Sequence, residues 1–232
     1  SIDHEQFLGD TLAKIAAEKA GIIKPSVPCV VGPQPDEALE VIEAVAQRLQ
    51  APTFIYGQHW HVYEERNRLV YQDERGLLDL PLPVLPGAHQ IYNAGAALAA
   101  LRHLDLPETR FEAAVTRAQW PARLQRLKTG PLKDVAPDAD LWLDGGHNAA
   151  AGQALASHLA QQSLRPTYLI CGMLNTKDVA GYLAPMAHYV AELFAVSIPG
   201  EANTLPAETT ATVAKSVGMA ATAADTVNAA VA

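Results

Sequence analysis

The chain has 232 residues, 49% of them hydrophobic, and a formal net charge of −8. That length suits one large or two small domains with a sizeable core, and the acidic balance disfavours nucleic-acid binding through phosphate neutralisation, while leaving a local basic site for a nucleotide open. No apolar run approaches the ~18 residues of a membrane span, and no basic-then-apolar leader precedes the first motif, so no membrane association is expected.

Helical periodicity begins after Asp10-Thr11. Leu12, Ile15, Ala16 and Lys19 recur at i, i+3, i+4 and i+7, one face of a helix, with Asp10 or Thr11 as its cap and Gly21 as a left-handed stop. Lys14 and Glu18 point to water, which leaves Lys19 as a lysine on the apolar stripe. Such a lysine usually snorkels to the surface. If it is held in a dry site instead, a neutral amine can take up carbon dioxide as a carbamate, a carboxylate-like metal ligand. His4, just upstream, is a ready neutral ligand for a metal, or else an ordinary surface or core histidine.

A short buried strand is expected over 27–32, an amphipathic helix over Pro35 to Leu49 and a strand at Thr53 to Tyr56, the alternation of a parallel α/β domain. Residues 58–82 change period and predict an antiparallel meander, whose aromatics are assigned to sheet packing. After a linker-like Pro83–Gly87, His89 to Leu101 predicts an alanine-rich helix with Asn93 in its first turns, as a cap or as a ligand contact. A further helix is expected over Phe111 to Ala118.

Trp120-Pro-Ala-Arg123-Leu-Gln125 follows, with Arg123 open to a surface salt bridge or to recognition of an oxyanion, and Arg126 close by. Residues 127–139 predict a mobile loop without a catalytic role. Asp140 to Asp144 predicts a strand that ends in Gly145-Gly146-His147-Asn148 and then a helix to about Gln162. An Asp at the carboxyl end of a strand can cap a turn or accept hydrogen bonds from two ribose hydroxyls. Strands at 167–172, 191–196 and 220–222 alternate with helices at 179–186 and 207–217, giving four strand–helix units in all. Cys29 and Cys171 sit in apolar runs without metal-ligand spacing and read as reduced core residues of a cytoplasmic protein.

Four of these stretches together resemble one family. Asp3 to Lys24, the Asn93-Ala-Gly-Ala-Ala-Leu helix, Trp120 to Gln125 and Asp144-Gly-Gly-His-Asn148 are similar to the motifs of folylpolyglutamate synthase/dihydrofolate synthase, a branch of the ATP-dependent Mur ligases. Ala122 stands where the family usually has Gly, and Ala149 where it has Pro. The resemblance implies an α/β fold: residues 1–119 as the C-terminal half of a parallel-sheet ATPase domain with its meander, and residues 120–232 as a Rossmann-like C-terminal ligase domain. It implies ATP and Mg2+, with His4 on the metal, carbamylated Lys19 and His147 in catalytic roles, and Asn93, Arg123 and Asp144 binding ATP. The Lys177-Asp178 pair matches one common in the family and reads first as turn and cap.

The implied activity joins L-glutamate to a folate or to dihydropteroate through an acyl phosphate, with metal ions offsetting charge. The implied partners are small molecules, with no nucleic acid and no membrane, and a monomer is expected. No Gly-x-x-x-x-Gly-Lys-[Ser/Thr] loop is present. Ser1 to His4 reads like a strand exit and Thr226 to Ala232 like an unfinished helix, so a fragment, inactive alone, is expected. Two alternatives are a Mur-type ligase of cell-wall precursors, against which Glu18-Lys-Ala-Gly-Ile22 argues, and a non-catalytic α/β binding module.

Overall fold

The computed structural model describes residues 11–162 and 165–231. The chain divides into two compact units, Ser1–Gln119 and Trp120–Ala232.

In the first unit, helix α1 (Leu12–Ala20) is capped by Thr11, whose side chain accepts the Lys14 N–H at 3.3 Å. It packs beside α2 (Asp36–Arg48), and Glu37 of α2 accepts the Ala13 N–H at 3.3 Å, occupying a donor that the first turn of α1 leaves unpaired. Gly21 does not stop the helix in a left-handed conformation. Its φ is −59°, and the chain leaves through successive tight turns at Gly21, Ile22 and Ile23. Pro35 precedes α2 at the N-cap, where its missing N–H costs nothing. Strands β1 (Cys29–Val31) and β2 (Thr53–Ile55) pair in parallel on either side of α2.

Strands β3 (Trp60–Glu65), β4 (Arg68–Asp73) and β5 (Gly76–Pro81) form the antiparallel meander. Trp60, Val62, Leu69 and Tyr71 are buried from it against Leu98 and Ala99 of α3 (His89–His103) and Phe111 and Val115 of α4 (Phe111–Thr116). The indole N–H of Trp60 donates to the Phe54 carbonyl at 3.0 Å, so burying this ring leaves no polar atom unpaired. Pro83–Gly87 lies inside this unit, and the Val84 N–H donates to Val115 at 3.0 Å.

In the second unit, β6 (Gln125–Leu127) pairs antiparallel with β7 (Leu141–Leu143). Between them, 127–139 is not loop throughout. It contains a short helix, α5 (Pro131–Val135), and the Lys133 ammonium donates to the carbonyls of Pro137 and Ala139, both at 2.6 Å. Helix α6 (Ala149–Leu159) starts at Asn148, whose side chain accepts the Ala151 N–H at 3.0 Å. Strands β8 (Tyr168–Cys171), β9 (Glu192–Ala195) and β10 (Ala221–Ala223) make a parallel sheet in the order β10-β9-β8. With α7 (Val179–Leu183) and α8 (Ala207–Ser216) they bury Leu183, Met186, Leu193, Ala195, Ala211 and Ala214. Helix α9 (Val227–Val231) closes the described chain. Four strand–helix units were expected to share one sheet. Strand β7 instead takes β6 as its partner, which sequence periodicity cannot anticipate because either pairing satisfies the backbone.

Candidate functional site

In the second unit, two of the motifs meet in one turn. Ala122 and Leu124, on either side of Arg123, have φ of 55° and 43°, the left-handed region that side chains with a Cβ avoid at ~1–2 kcal/mol per residue. Four hydrogen bonds hold this geometry. The Ala122 N–H donates to the Gln125 side-chain oxygen at 3.0 Å, and the Gly145 N–H donates to the Ala122 carbonyl at 2.9 Å. The Asp144 carboxylate accepts the Leu124 N–H at 2.8 Å on one oxygen and the Gly146 N–H at 2.7 Å on the other. Leu124 itself is buried, so the turn is pinned by its side chain as well as by its backbone.

Arg123 is exposed at the tip of this turn. Arg126, the cation that sequence could confuse with it, is ion-paired to Asp140, which also lies 3.3 Å from Arg165. The hydrogen bond and the charge of Arg126 hold the Asp140 carboxyl below the usual carboxylate range. A Cβ added to Gly146 would stand 2.8 Å from Asp144 Oδ1 and 2.9 Å from the Ala151 Cβ, so the close approach here requires glycine. His147 Nδ1 lies 3.1 Å from the Gly145 carbonyl. A carbonyl can only accept, so this contact favours the tautomer with hydrogen on Nδ1 and leaves Nε2 as the acceptor of a neutral ring. Tyr182 packs near Gly146, and burial pushes its phenol well above the ordinary value.

In the first unit, Asn93 is exposed in α3, and its side-chain N–H donates to Gln90 at 2.9 Å. The helix N-cap is Ala88, so Asn93 is not the cap. Lys19 is exposed, the snorkelled one of the two states that its spacing left open. The buried residues of α1 are Ile15, Ala16 and Ala20, and the four-carbon stem of Lys19 carries its ammonium past them to water. His4 lies outside the described residues. Among the described residues no group of three or more His, Cys, Asp or Glu is placed to hold a metal ion. No helix among them is long and apolar enough to cross a membrane.

The first unit also carries an open cavity of about 450 Å³, lined in part by Phe54, His59, His61, Arg75, Arg102 and His103. It sits at the far end of α3 from Asn93, and none of the expected site residues among those described lines it. The contribution of Gln125 to the Arg123 turn was not foreseen, because nothing in its spacing separates a turn clamp from a surface glutamine.

Solved structures share this architecture. Escherichia coli FolC in complex with DHPP and ADP aligns with a TM-score of 0.83 at 28% identity, over 99% of this chain and 52% of that one. A bifunctional folylpolyglutamate synthase/dihydrofolate synthase with Mn, AMPPNP and L-glutamate bound aligns with a TM-score of 0.80 at 28% identity, over 99% and 52%. The fold is therefore mixed α/β of the Mur ligase type. Among curated proteins, the chain is 34% identical over 209 residues to the dihydrofolate synthase/folylpolyglutamate synthase of Mycobacterium tuberculosis, covering 80% of this chain and 40% of that protein. It is 27% identical over 218 residues to the folylpolyglutamate synthase of Lacticaseibacillus casei, covering 89% of this chain and 49% of that protein. The curated relatives and solved structures that the chain matches are folylpolyglutamate synthases and dihydrofolate synthases, and the chain is similar to them over most of its own length. It spans about half the length of the curated relatives it matches. No family model matches it.

Proposed function

We propose that the whole protein is an ATP-dependent ligase that joins L-glutamate to a folate or to dihydropteroate. In this reading the pteridine-side carboxylate attacks the γ-phosphorus of ATP, ADP leaves, and an acyl phosphate forms. The glutamate amine then attacks the acyl carbon, loses a proton, and phosphate departs. Residues 1–119 would be the C-terminal part of the central ATPase domain, and 120–232 the C-terminal domain.

The observation that carries this reading is the turn of the second unit, where the Arg123 motif and the Asp144 motif are tied together by backbone hydrogen bonds. Arg123, exposed at its tip, offers a planar fork to phosphate oxygens, and Asp144 retains lone pairs for ribose hydroxyls. Asn93 would add a contact to the nucleotide, and His147 a proton acceptor beside it. Related structures hold ADP in one case and Mn, AMPPNP and L-glutamate in another, which fits these roles. A divalent cation, held in part by His4, would offset phosphate charge when bound. The described residues supply no group of three or more His, Cys, Asp or Glu to hold it. Carbamylation of Lys19 belongs to the same proposal, although α1 alone does not bury the amine. A cytoplasmic monomer without nucleic-acid or membrane partners completes the reading.

The test is glutamate-dependent ADP release by the full-length protein with dihydropteroate, tetrahydrofolate and a muramyl precursor in turn. Turnover on either pteridine is expected, and turnover on the muramyl precursor alone would overturn the reading. For Lys19, Lys19→Ala should abolish turnover, with partial rescue by a short carboxylate. Unchanged turnover would remove Lys19 from the mechanism.

A further inference from the structure

We propose that Gln125 is a positioning residue for nucleotide binding, acting through Arg123; this rests on the reading of Arg123 as a phosphate ligand. Arg123 projects from a turn whose two flanking residues, Ala122 and Leu124, are both left-handed without being glycine. Such a turn opens into ordinary right-handed or extended backbone unless something holds it. Leu124 is held by Asp144 and by its own buried side chain. At Ala122, the carbonyl is held by Gly145, and the N–H is held by the side-chain oxygen of Gln125 at 3.0 Å.

Gln125 therefore spans Arg123 and closes the turn on the side that Asp144 does not reach. It is itself exposed and makes no contribution to the buried core, so its removal releases the turn without removing core packing. Its side chain need not touch the nucleotide. Its effect is to reduce the number of backbone conformations from which the guanidinium must be gathered when phosphate binds, which is preorganisation.

The experiment is a double-mutant cycle on the full-length protein, with KM for ATP, kcat and the hydrogen exchange of the Ala122 amide measured for Arg123→Ala, Gln125→Leu and the pair. Gln125→Leu should raise KM for ATP about three- to tenfold, the scale of one hydrogen bond, with a melting temperature near that of the parent. It should also speed exchange at Ala122. Arg123→Ala should raise KM by at least about tenfold, the scale of a charge-assisted bond, and the pair should be no worse than Arg123→Ala alone. If Gln125→Leu leaves KM unchanged while Arg123→Ala raises it, or if the two losses add in full, the positioning role is overturned and the Arg123 reading survives. If Arg123→Ala leaves KM unchanged, the reading beneath is overturned. The exchange of the Ala122 amide then still decides whether Gln125 holds the turn.

Discussion

The carboxylate of Asp144 accepts the backbone N–H of Leu124 at 2.8 Å, across a separation of 20 residues in the chain. The same carboxylate holds the Gly146 N–H on its other oxygen, so one side chain fixes both the turn that carries Arg123 and the start of the Gly145–Asn148 loop. Asp144→Ala leaves two part-buried donors to find water or nothing, and should cost about 1–3 kcal/mol. Asp144→Asn keeps one accepting oxygen and should fall between the two. Urea denaturation followed by tryptophan fluorescence reads this out, since Trp120 and Trp142 both lie in the second unit. An Asn variant as stable as the parent would show that one acceptor is enough.

Ala122→Gly should stabilise the chain. At φ 55° the Cβ of Ala122 is a burden, and its removal should gain up to about 1 kcal/mol, after the greater freedom of glycine in the unfolded chain is counted. Leu124→Gly relieves a similar φ but gives up a buried side chain, and should destabilise. Opposite shifts in melting temperature for the two substitutions are expected. Shifts of the same sign would place the energy of this turn somewhere other than its backbone conformation.

Arg102 should be the most sensitive charged residue of the first unit. Its side chain is 3% exposed, it is paired with Asp73 and, at 2.8 Å, with Glu108, and its guanidinium lies 5.5 Å from the Tyr71 ring centre. Asp73 is only 11% exposed and would keep the neutral donors Tyr71 hydroxyl and Arg75 backbone N–H but lose its buried cation, so Arg102→Ala should cost up to about 3–5 kcal/mol. Arg68→Ala removes a surface pair with Asp79 and should cost about 1 kcal/mol at most. Thermal melts of the two variants compare them directly.

Acid should destabilise the fold before the carboxylates titrate. Burial lowers the imidazoles of both His103 and His158 from their ordinary value, and Arg75 adds to the effect at His103, opposed by Asp73, Glu74 and Asp105. Between each lowered folded-state value and the unfolded value of about 6.5, the unfolded chain binds more protons. Stability is therefore complete above that pH and is lost as pH falls through it toward the folded-state values. Melting temperature should drop on going from neutral to mildly acid pH, and His103→Gln with His158→Gln should flatten the drop. An unaltered pH profile in the double variant would assign the acid sensitivity to other groups.

The helices and the meander were legible because each carries its own period. Ala38, Leu39, Ile42, Val45 and Ala46 mark one face of α2, and Trp60 and Val62 alternate with His61 and Tyr63 along β3. What could not be read was set by contacts between distant residues. Gly21 has the residue type of a left-handed stop, but the turn it enters continues right-handed. Residues with a Cβ at Ala122 and Leu124 give no sign of positive φ, since only the partners at Gln125, Asp144 and Gly145 make it tenable. The pairing of β7 with β6 was hidden in the same way, because Gln125 to Leu127 has no alternation of its own.

The shared carboxylate also limits what an alanine scan can resolve. Removing Asp144 unlatches the loop that aims Arg123, so each variant will phenocopy the other in any assay of nucleotide use. Loss of activity alone would not separate a ligand lost at Asp144 from a turn that no longer aims Arg123. Only measurements that follow the backbone itself will tell the aim from the grip.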